Sequence, residues 1–473
     1  MSSEGVSGTE TGGGVRFLGV DRDYWRLLIR GAVLLAFTLG IYRFWLLTDI
    51  RRFLWSNSEV SGEALEYSGT PQELLIGFMM AIVILVPIYT GFFLAALDLG
   101  TLGQLSSGLA FVALAVLGQY AIYRARRYRL TRTVFRGLRF HQEGSAWLYA
   151  FWSIFWWTLT ILTLGLAYPF QLASLERYKM RKTYYGELAG SFAGSGWRLF
   201  LRGLPMWLAL FVPLALAVGV GVAEVDVHAI GAAMAAPREG ASESGQSGAP
   251  PTTQRQAPTP STNPGSVDSG NPGRSGSGPT SQSNQNNQND QNNQGTRKYQ
   301  NLDQAGGVVA FAILMGIVSV LAGVGMFPAF QAMVLRWQLS GVRFGEFALL
   351  CKLRTRDIYK AYLRFLGAAL IFSVVISMVG STGAVVVKAI VGDNLSSGPG
   401  QIMITGILLV LYVISMLGYS TIYRGTVELA LWRKGFESLQ LSGLSALENV
   451  KASGKPASAL GEGLVDALHV GGF

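Results

Sequence analysis

Six stretches of about 20 residues, nearly free of charge, punctuate this chain, and each demands an apolar solvent. A helix of that length rises ~30 Å, the thickness of a bilayer's hydrocarbon core. The blocks lie near 73–96, 104–123, 200–223, 306–330, 361–380 and 401–423, each with polar flanks. Two further blocks are less regular. Residues 27–47 carry Arg30 and Arg43, while 146–172 hold no charge but contain a Thr163-Leu164-Gly165 break and Pro169. Half of all residues are apolar and 14% are charged. That is too little charge to cover the surface of a soluble chain of this length.

The net charge of +10 raises nucleic acid as a partner. The cations, however, sit just outside the apolar blocks, where the cytoplasmic ends of membrane helices carry them. No separate basic domain exists, so nucleic-acid binding is not expected. Cys351 is the one cysteine and His141, His228 and His469 lie far apart, which leaves no ligand-spaced pair for a metal. HExxH, a Walker-type Gly-Lys-Ser/Thr loop and Gly-x-Ser-x-Gly are missing from the sequence. No enzyme activity, cofactor or metal is expected. Residues 1–20 are polar and glycine-rich, and no small-residue cleavage site follows the first apolar run, so an uncleaved N-terminus is expected.

Lys and Arg in the short connections set the expected orientation. The segment 124–140 holds Arg124, Arg126, Arg127, Arg129, Arg132, Arg136 and Arg139, and 336–364 is similarly basic. Both should be cytoplasmic, as should the C-terminal tail after Arg424, Arg433 and Lys434. The connections around Asp98, Glu224–Asp226 and Asp393 are poor in cations and belong outside. The first half contains a conflict, because 146–172 and 27–47 are each flanked by cations at both ends. Either each enters and returns as a broken hairpin, with Gly165 near one bend, or each crosses once against the charge rule. The hairpin is favoured, since irregular backbone at membrane depth must be shielded by protein.

The low-complexity stretch 236–304 cannot bury a core and is expected to be a disordered extracytoplasmic loop. The domains expected are therefore a polar tail (1–23), a first membrane half (24–235), this loop (236–304), a second membrane half (305–436) and a cytoplasmic tail (437–473).

The chain also repeats itself. Thr38-Leu39-Gly40-Ile41 recurs as Thr163-Leu164-Gly165-Leu166. Aromatics follow each (Tyr42, Phe44 and Trp45; Tyr168 and Phe170), then a basic-aromatic pair (Arg52-Phe53; Arg177-Tyr178) and a glycine (Gly62; Gly186). Gly137, in Phe135-Arg136-Gly137-Leu138-Arg139-Phe140, is echoed by Gly341 in Ser340-Gly341-Val342-Arg343-Phe344. After these glycines the pattern alternates, which favours short strands gathered into a small cytoplasmic cap. Gly40 and Gly165 lie in apolar surroundings and are expected to permit bending or close helix contact. The fold class expected is an all-α polytopic membrane protein. It has six clear transmembrane helices, two Thr-Leu-Gly segments that span or re-enter, short cytoplasmic strands and internal repeats.

These motifs resemble the YjgN-like family of bacterial inner-membrane proteins. The family's pattern is Thr-Leu-Gly-Ile-Tyr-x-Pro-Trp, then Arg-x-x-Arg-Tyr, then Asn-Thr and a glycine. Thr38 through Trp45, Arg51, Arg52, Phe53, Asn57 and Gly62 match most of it, with Phe44 for the proline and Phe53 for the tyrosine. The second unit keeps Pro169 but has Phe170 where Trp is usual. Gly461-Glu462-Gly463-Leu464-Val465-Asp466-Ala467 is similar to the family's ending. The resemblance covers nearly the whole chain outside 236–304. It implies a bacterial inner-membrane location but no function, because no activity is established for the family.

Ion-coupled carriers place ionisable groups within their spans, and the central parts of the clear spans hold no Asp, Glu, Lys or His. The leading expectation is a non-enzymatic scaffold or envelope factor that contacts anionic phospholipid and a membrane or envelope protein partner. The candidate contact residues are Arg51, Arg52, Arg126, Arg127, Arg129, Arg132, Arg136, Arg139 and Arg177. The alternative is a transporter or channel for a small or lipid-like solute, since internal repeats and proline-bearing helices suit that class.

Overall fold

The computed structural model describes residues 14–97, 101–224, 281–391, 398–448, 450–454 and 456–470. From the N-terminal side, strand β1 (Val15–Phe17) leads into helices α1 (Asp21–Phe37) and α2 (Arg43–Ser56), then strands β2 (Ser58–Val60), β3 (Glu63–Ala64) and β4 (Glu66–Tyr67). Helices α3 (Pro71–Ala96) and α4 (Thr101–Arg132) follow, then β5 (Thr133–Phe135) and β6 (Leu138–Gln142). Helices α5 (Ala146–Leu162) and α6 (Tyr168–Arg181) precede β7 (Thr183–Tyr185) and β8 (Leu188–Phe192). Helices α7 (Gly196–Glu224) and α8 (Ser281–Gly341) lead to β9 (Val342–Phe344) and β10 (Phe347–Cys351). Last come α9 (Thr355–Val391), α10 (Gly398–Tyr423), a π-helical turn (Arg424–Glu428), α11 (Leu429–Glu437), β11 (Leu439–Ser442) and α12 (Leu460–Ala467).

The chain forms two units, residues 1–208 with 323–473, and residues 209–322. In the second, Ser319 Oγ donates to the Leu210 carbonyl at 2.7 Å. The first holds the sheets, where the chain order has a simple parity. The larger sheet runs β11-β10-β9-β8-β7-β6-β5-β4 and the smaller β1-β2-β3, so neighbours in sequence are neighbours in space. Connections between antiparallel strands alternate between two ends. At one end lie tight two-residue turns, Ser61-Gly62, Arg136-Gly137, Gly186-Glu187 and Gly345-Glu346. Positive φ values at Ser61, Gly62, Arg136, Gly137, Gly186 and Gly345 match the right-handed twist of the flanking strands. At the other end, helices fill the described part of each connection: α1–α2, α3–α4, α5–α6, α7–α8 and α9 to α11 leave from that edge and return to the adjoining strand.

The expected all-α class is therefore corrected. The chain is mostly helical but carries a sizeable antiparallel sheet, and Leu138-Arg139-Phe140 and Val342-Arg343-Phe344 are indeed strands. The strands run two to five residues, too short for alternation to stand out, and helical excursions separate many of the partners. Phe135, Met180, Tyr185, Phe344, Phe347 and Leu447 form the apolar core against the larger sheet.

Among the described residues, six helices are long and apolar enough to cross a membrane: Pro71–Ala96, Ser106–Arg132, Gly196–Val220, Val309–Gly341, Thr355–Ile390 and Gly400–Glu437. They run past the apolar blocks on their basic sides. Arg124 through Arg132, expected in a connection, extend α4 by more than two turns, because Arg is a good helix former and nothing breaks the run before the strand. The α3 start is capped as its sequence prescribes: Thr70 accepts from the Glu73 N–H at 3.4 Å and Pro71 takes the first helical position.

The two doubtful blocks are helical hairpins. Phe17 pairs with Ser58, so both ends of α1–α2 meet in one sheet. Gln142 pairs with Thr183, so both ends of α5–α6 meet in the other. Their bends are built alike. After α1, Leu39 and Gly40 take φ +48° and +96°, and after α5, Leu164 and Gly165 take +49° and +90°. The Gly40 N–H reaches the Leu35 carbonyl at 2.9 Å and the Gly165 N–H reaches Thr160 at 2.7 Å, a Schellman closure. The threonine hydroxyl clamps both sides of each bend. Thr38 Oγ1 donates to Leu34 and accepts from the Tyr42 N–H; Thr163 Oγ1 donates to Leu159 and accepts from Ala167. A Cβ on Gly40 would meet nothing within 4 Å, so the glycine serves the backbone angle and not close helix contact.

Gly137 and Gly341, matched in sequence, occupy different places. Gly137 is a hairpin residue, whereas Gly341 ends α8 where a Cβ would lie 2.3 Å from the Phe192 ring. Of the expected loop 236–304, residues up to 280 lie outside the described residues and 281–304 open α8. The low-complexity composition continues as helix there because the apolar run behind it supplies a nucleus and Gln propagates it. Residues 1–13 of the polar tail, Asp98, His228 and Asp393 also lie outside. The expected tail 437–473 instead contributes β11 to the sheet and packs α12 against α3 and α4.

Candidate functional site

A set of paired charges in the first unit lies beneath α12. This helix approaches its neighbours backbone to backbone. A Cβ on Gly463 would fall 2.0 Å from the Gly77 carbonyl oxygen, and one on Gly461 would fall 2.2 Å from Arg124 Cβ. The close approach drives the intervening Glu462 inward to 6% exposure. Its Oε1 pairs with Arg51, itself 3% exposed. Arg51 also donates to the Tyr67 hydroxyl at 3.1 Å. Glu462 Oε2 lies 3.7 Å from Arg129 Nε. Burial opposes the Arg51 charge, but Glu462 and Tyr67 outweigh it and hold the guanidinium pKa above its ordinary value. One turn on, Asp466 pairs with Arg43. Burial raises the Asp466 carboxyl, with Arg43 opposing.

A cleft of about 260 Å³ opens here, lined by Arg43, Arg51, Arg129, Glu462 and Asp466 together with Phe44, Leu47, Leu74, Arg424, Glu428 and His469. Glu428 Oε2 is buried there and accepts no hydrogen bond among the described residues. Guanidinium groups face carboxylates throughout, and the set is nearly balanced in charge. Such a network is suited to fixing the chain's last helix against its first hairpin. Among the described residues, no three His, Cys, Asp or Glu side chains are grouped to share a metal ion.

The candidate arginines divide sharply. Arg51 is consumed by Glu462. Arg126 donates to Thr183 Oγ1 at 3.3 Å and Arg127 to the Gln142 carbonyl. Arg132 pairs with Glu73 at 2.7 Å and Arg136 with Glu63 at 3.3 Å. Arg129 lies beside Glu462. Arg52, Arg139 and Arg177 are exposed; Arg52 donates to the Gly69 carbonyl at 3.0 Å and Arg177 to Gly194 at 3.2 Å. A run of arginines after an apolar block thus supplies tertiary contacts as well as surface charge. The other motif residues have local roles. Asn57 Nδ2 closes α2 on the Phe53 carbonyl, Tyr42 stacks on Trp45, Tyr168 packs on Phe330 and Pro169 sits at the start of α6.

Two further clefts lie near the sheet ends of the helices. One, about 300 Å³, is lined by Arg139, Phe140, His141 and the segment Ala452–Gly454. His141 is 6% exposed and its Nδ1 finds no partner among the described residues. Burial lowers its pKa, helped by Arg127 and opposed by Glu143. The other, about 530 Å³, is lined by Trp152, Ser174, Arg177, Tyr178, Arg181 and Lys182.

Glu462 and Asp466 belong to the terminal motif of the sequence, which by itself assigns them no role. The usable signal was an acid between two glycines in an apolar setting, Gly461-Glu462-Gly463, which places a charge where only close backbone packing fits.

A family model described as bacterial protein of unknown function (DUF898) matches residues 13–250. That span contains both Thr-Leu-Gly hairpins and is the family their motifs resemble; β9 to α12 lie beyond it. No curated protein and no solved structure is significantly similar to the chain.

Proposed function

The chain belongs to the YjgN family of bacterial proteins of unknown function, and on that premise we propose that it is a non-enzymatic, multi-pass scaffold or envelope factor of the bacterial inner membrane. The parity of the meander carries this reading. Helical excursions from one edge of the sheet suit a protein whose sheet rests at one membrane face while its apolar helices enter the lipid. The positive-inside rule makes that face cytoplasmic, with the C-terminus beside it and the loop after α7 on the far side. On this reading the α1–α2 and α5–α6 hairpins are duplicated re-entrant units, entering and leaving by the same face. That removes the conflict posed by cations at both flanks.

Charged side chains in the long helices gather at the sheet ends, as with Glu73, Arg336, Asp357 and Arg433, and Lys388 lies toward the other end of α9. An ion-coupled carrier places them midway, so this distribution favours the scaffold over the transporter. The partners proposed are anionic phospholipid, met by the exposed cations, and a membrane or envelope protein.

Single cysteines in a Cys351→Ser background test the topology. Glu187→Cys and Glu346→Cys, in the tight turns, should react with an impermeant maleimide only after the inner membrane is opened. Leu97→Cys, after α3, should react in intact spheroplasts. Labelling of either turn from outside defeats the proposal.

A further inference from the structure

We propose that the cleft at the foot of the α5–α6 hairpin holds the phosphate of an anionic phospholipid, with its acyl chains lying along the outer face of α5. This rests on the membrane reading above and names a lipid class and a site for it.

The cleft is lined by Arg177, Arg181 and Lys182 with Trp152, Ser174 and Tyr178, and no carboxylate joins them. All three cations are exposed, and among the described residues none pairs with an acid. The polar atoms around them are already satisfied. Trp152 Nε1 donates to Ser174 Oγ at 2.8 Å, and the Tyr178 hydroxyl donates to the Ser145 carbonyl at 2.9 Å. The aromatic rings are therefore fixed, while the cations keep donors for an outside ligand. Arg177 spends one terminal nitrogen on the Gly194 carbonyl, which steadies the guanidinium and leaves its remaining donors available.

The neighbouring surface decides the kind of anion. The outer face of α5 exposes Trp147, Leu148, Phe151 and Phe155 to 50%, 59%, 61% and 54%. Trp152, itself 44% exposed, belongs to both that face and the cleft. A small soluble phosphate fills the cationic half alone. An amphiphile with an anionic head covers both, and indole suits the junction because its ring is apolar and its N–H polar. The contrast with the cleft beneath α12 is instructive: there each guanidinium faces an acid of the protein itself.

The test uses the full chain in nanodiscs of zwitterionic lipid, with a minor fraction of phosphatidylglycerol or phosphatidylethanolamine brominated in the acyl chains. Quenching of Trp152 is read as the difference between the wild-type chain and Trp152→Phe. Brominated phosphatidylglycerol should quench at least fivefold more effectively than the brominated zwitterion at equal mole fraction. The preference should fall by about fivefold for each cation removed and vanish in the Arg177→Gln, Arg181→Gln, Lys182→Gln variant. Arg181→Lys, which keeps the charge, should retain it. Equal quenching by the two lipids in the wild-type chain overturns the site while leaving the membrane reading intact. Abolition of the preference by millimolar inorganic phosphate overturns the lipid assignment. A chain that stays soluble and enters no disc overturns both readings together.

Discussion

Arg51 and Glu462, 411 residues apart in sequence, meet as a buried ion pair that fastens the last helix of the chain to its first helical hairpin. Both side chains are almost fully removed from water, so each charge depends on the other. Burying two charges brings little net stability, but stranding one is costly.

Glu462→Gln should therefore lower stability by about 3–5 kcal/mol, read as thermal unfolding in detergent. Asp466→Asn should do far less. Its partner Arg43 is 45% exposed and stays solvated when the carboxylate goes. Equal losses in the two variants would show that the pair beneath α12 is not the fastening.

Gly463→Ala and Gly40→Ala separate two reasons for glycine. The Gly463 Cβ would meet the Gly77 backbone at 2.0 Å, which neither helix can relieve without moving apart. It should release α12, exposing residues 456–470 to protease. Gly40→Ala meets no atom but is strained at φ +96°. Its cost should be about 1–2 kcal/mol, with α12 still protected.

His141 gives a pH dependence with a definite sign. Its folded pKa lies below the ordinary imidazole value of about 6.5, so the native state favours the neutral ring. The stability it contributes is present above that value and is lost as pH falls through the lowered one. A Cβ on Gly454 would lie 2.4 Å from the imidazole, so protonation should loosen the segment around it. Hydrogen exchange at residues 452–454 should accelerate in mild acid, and His141→Gln should abolish the acid dependence.

Asp466 runs in the opposite sense. Its folded pKa is raised by burial, so its contribution is fully present below the ordinary carboxyl value and is lost as pH rises through the raised one. The difference in unfolding temperature between wild type and Asp466→Asn should shift in favour of Asn across that rise. A difference that does not move with pH would mean the carboxyl is not desolvated.

The long helices were legible because 20 apolar residues have one use. The hairpins were half legible from charge, since cations at both flanks of 27–47 and 146–172 favour a return but also fit a single crossing against the charge rule. The extent of the sheet was not. Pairs such as Gly190 with Phe344 join residues with helices between them, and strands of three residues leave too little alternation to announce themselves. The ionic cluster was hidden for a related reason. Nothing near Arg51 in sequence suggests that its counter-charge lies beside the C-terminus, and a row of arginines looks the same whether it faces lipid, as Arg177 does in our proposal, or a buried carboxylate, as Arg132 does with Glu73.

Because each helical excursion returns to the strand beside the one it left, the register of the described strands is set without its outer connection. Chain can be added there at the cost of loop closure alone, about 0.6 kcal/mol for each doubling in length, while an added residue at Gly137 or Gly345 would shift the partners of every side chain beyond it. Growth of such a protein is therefore favoured at one end of its helices, the end at which α7 and α8 are separated by 56 residues of sequence.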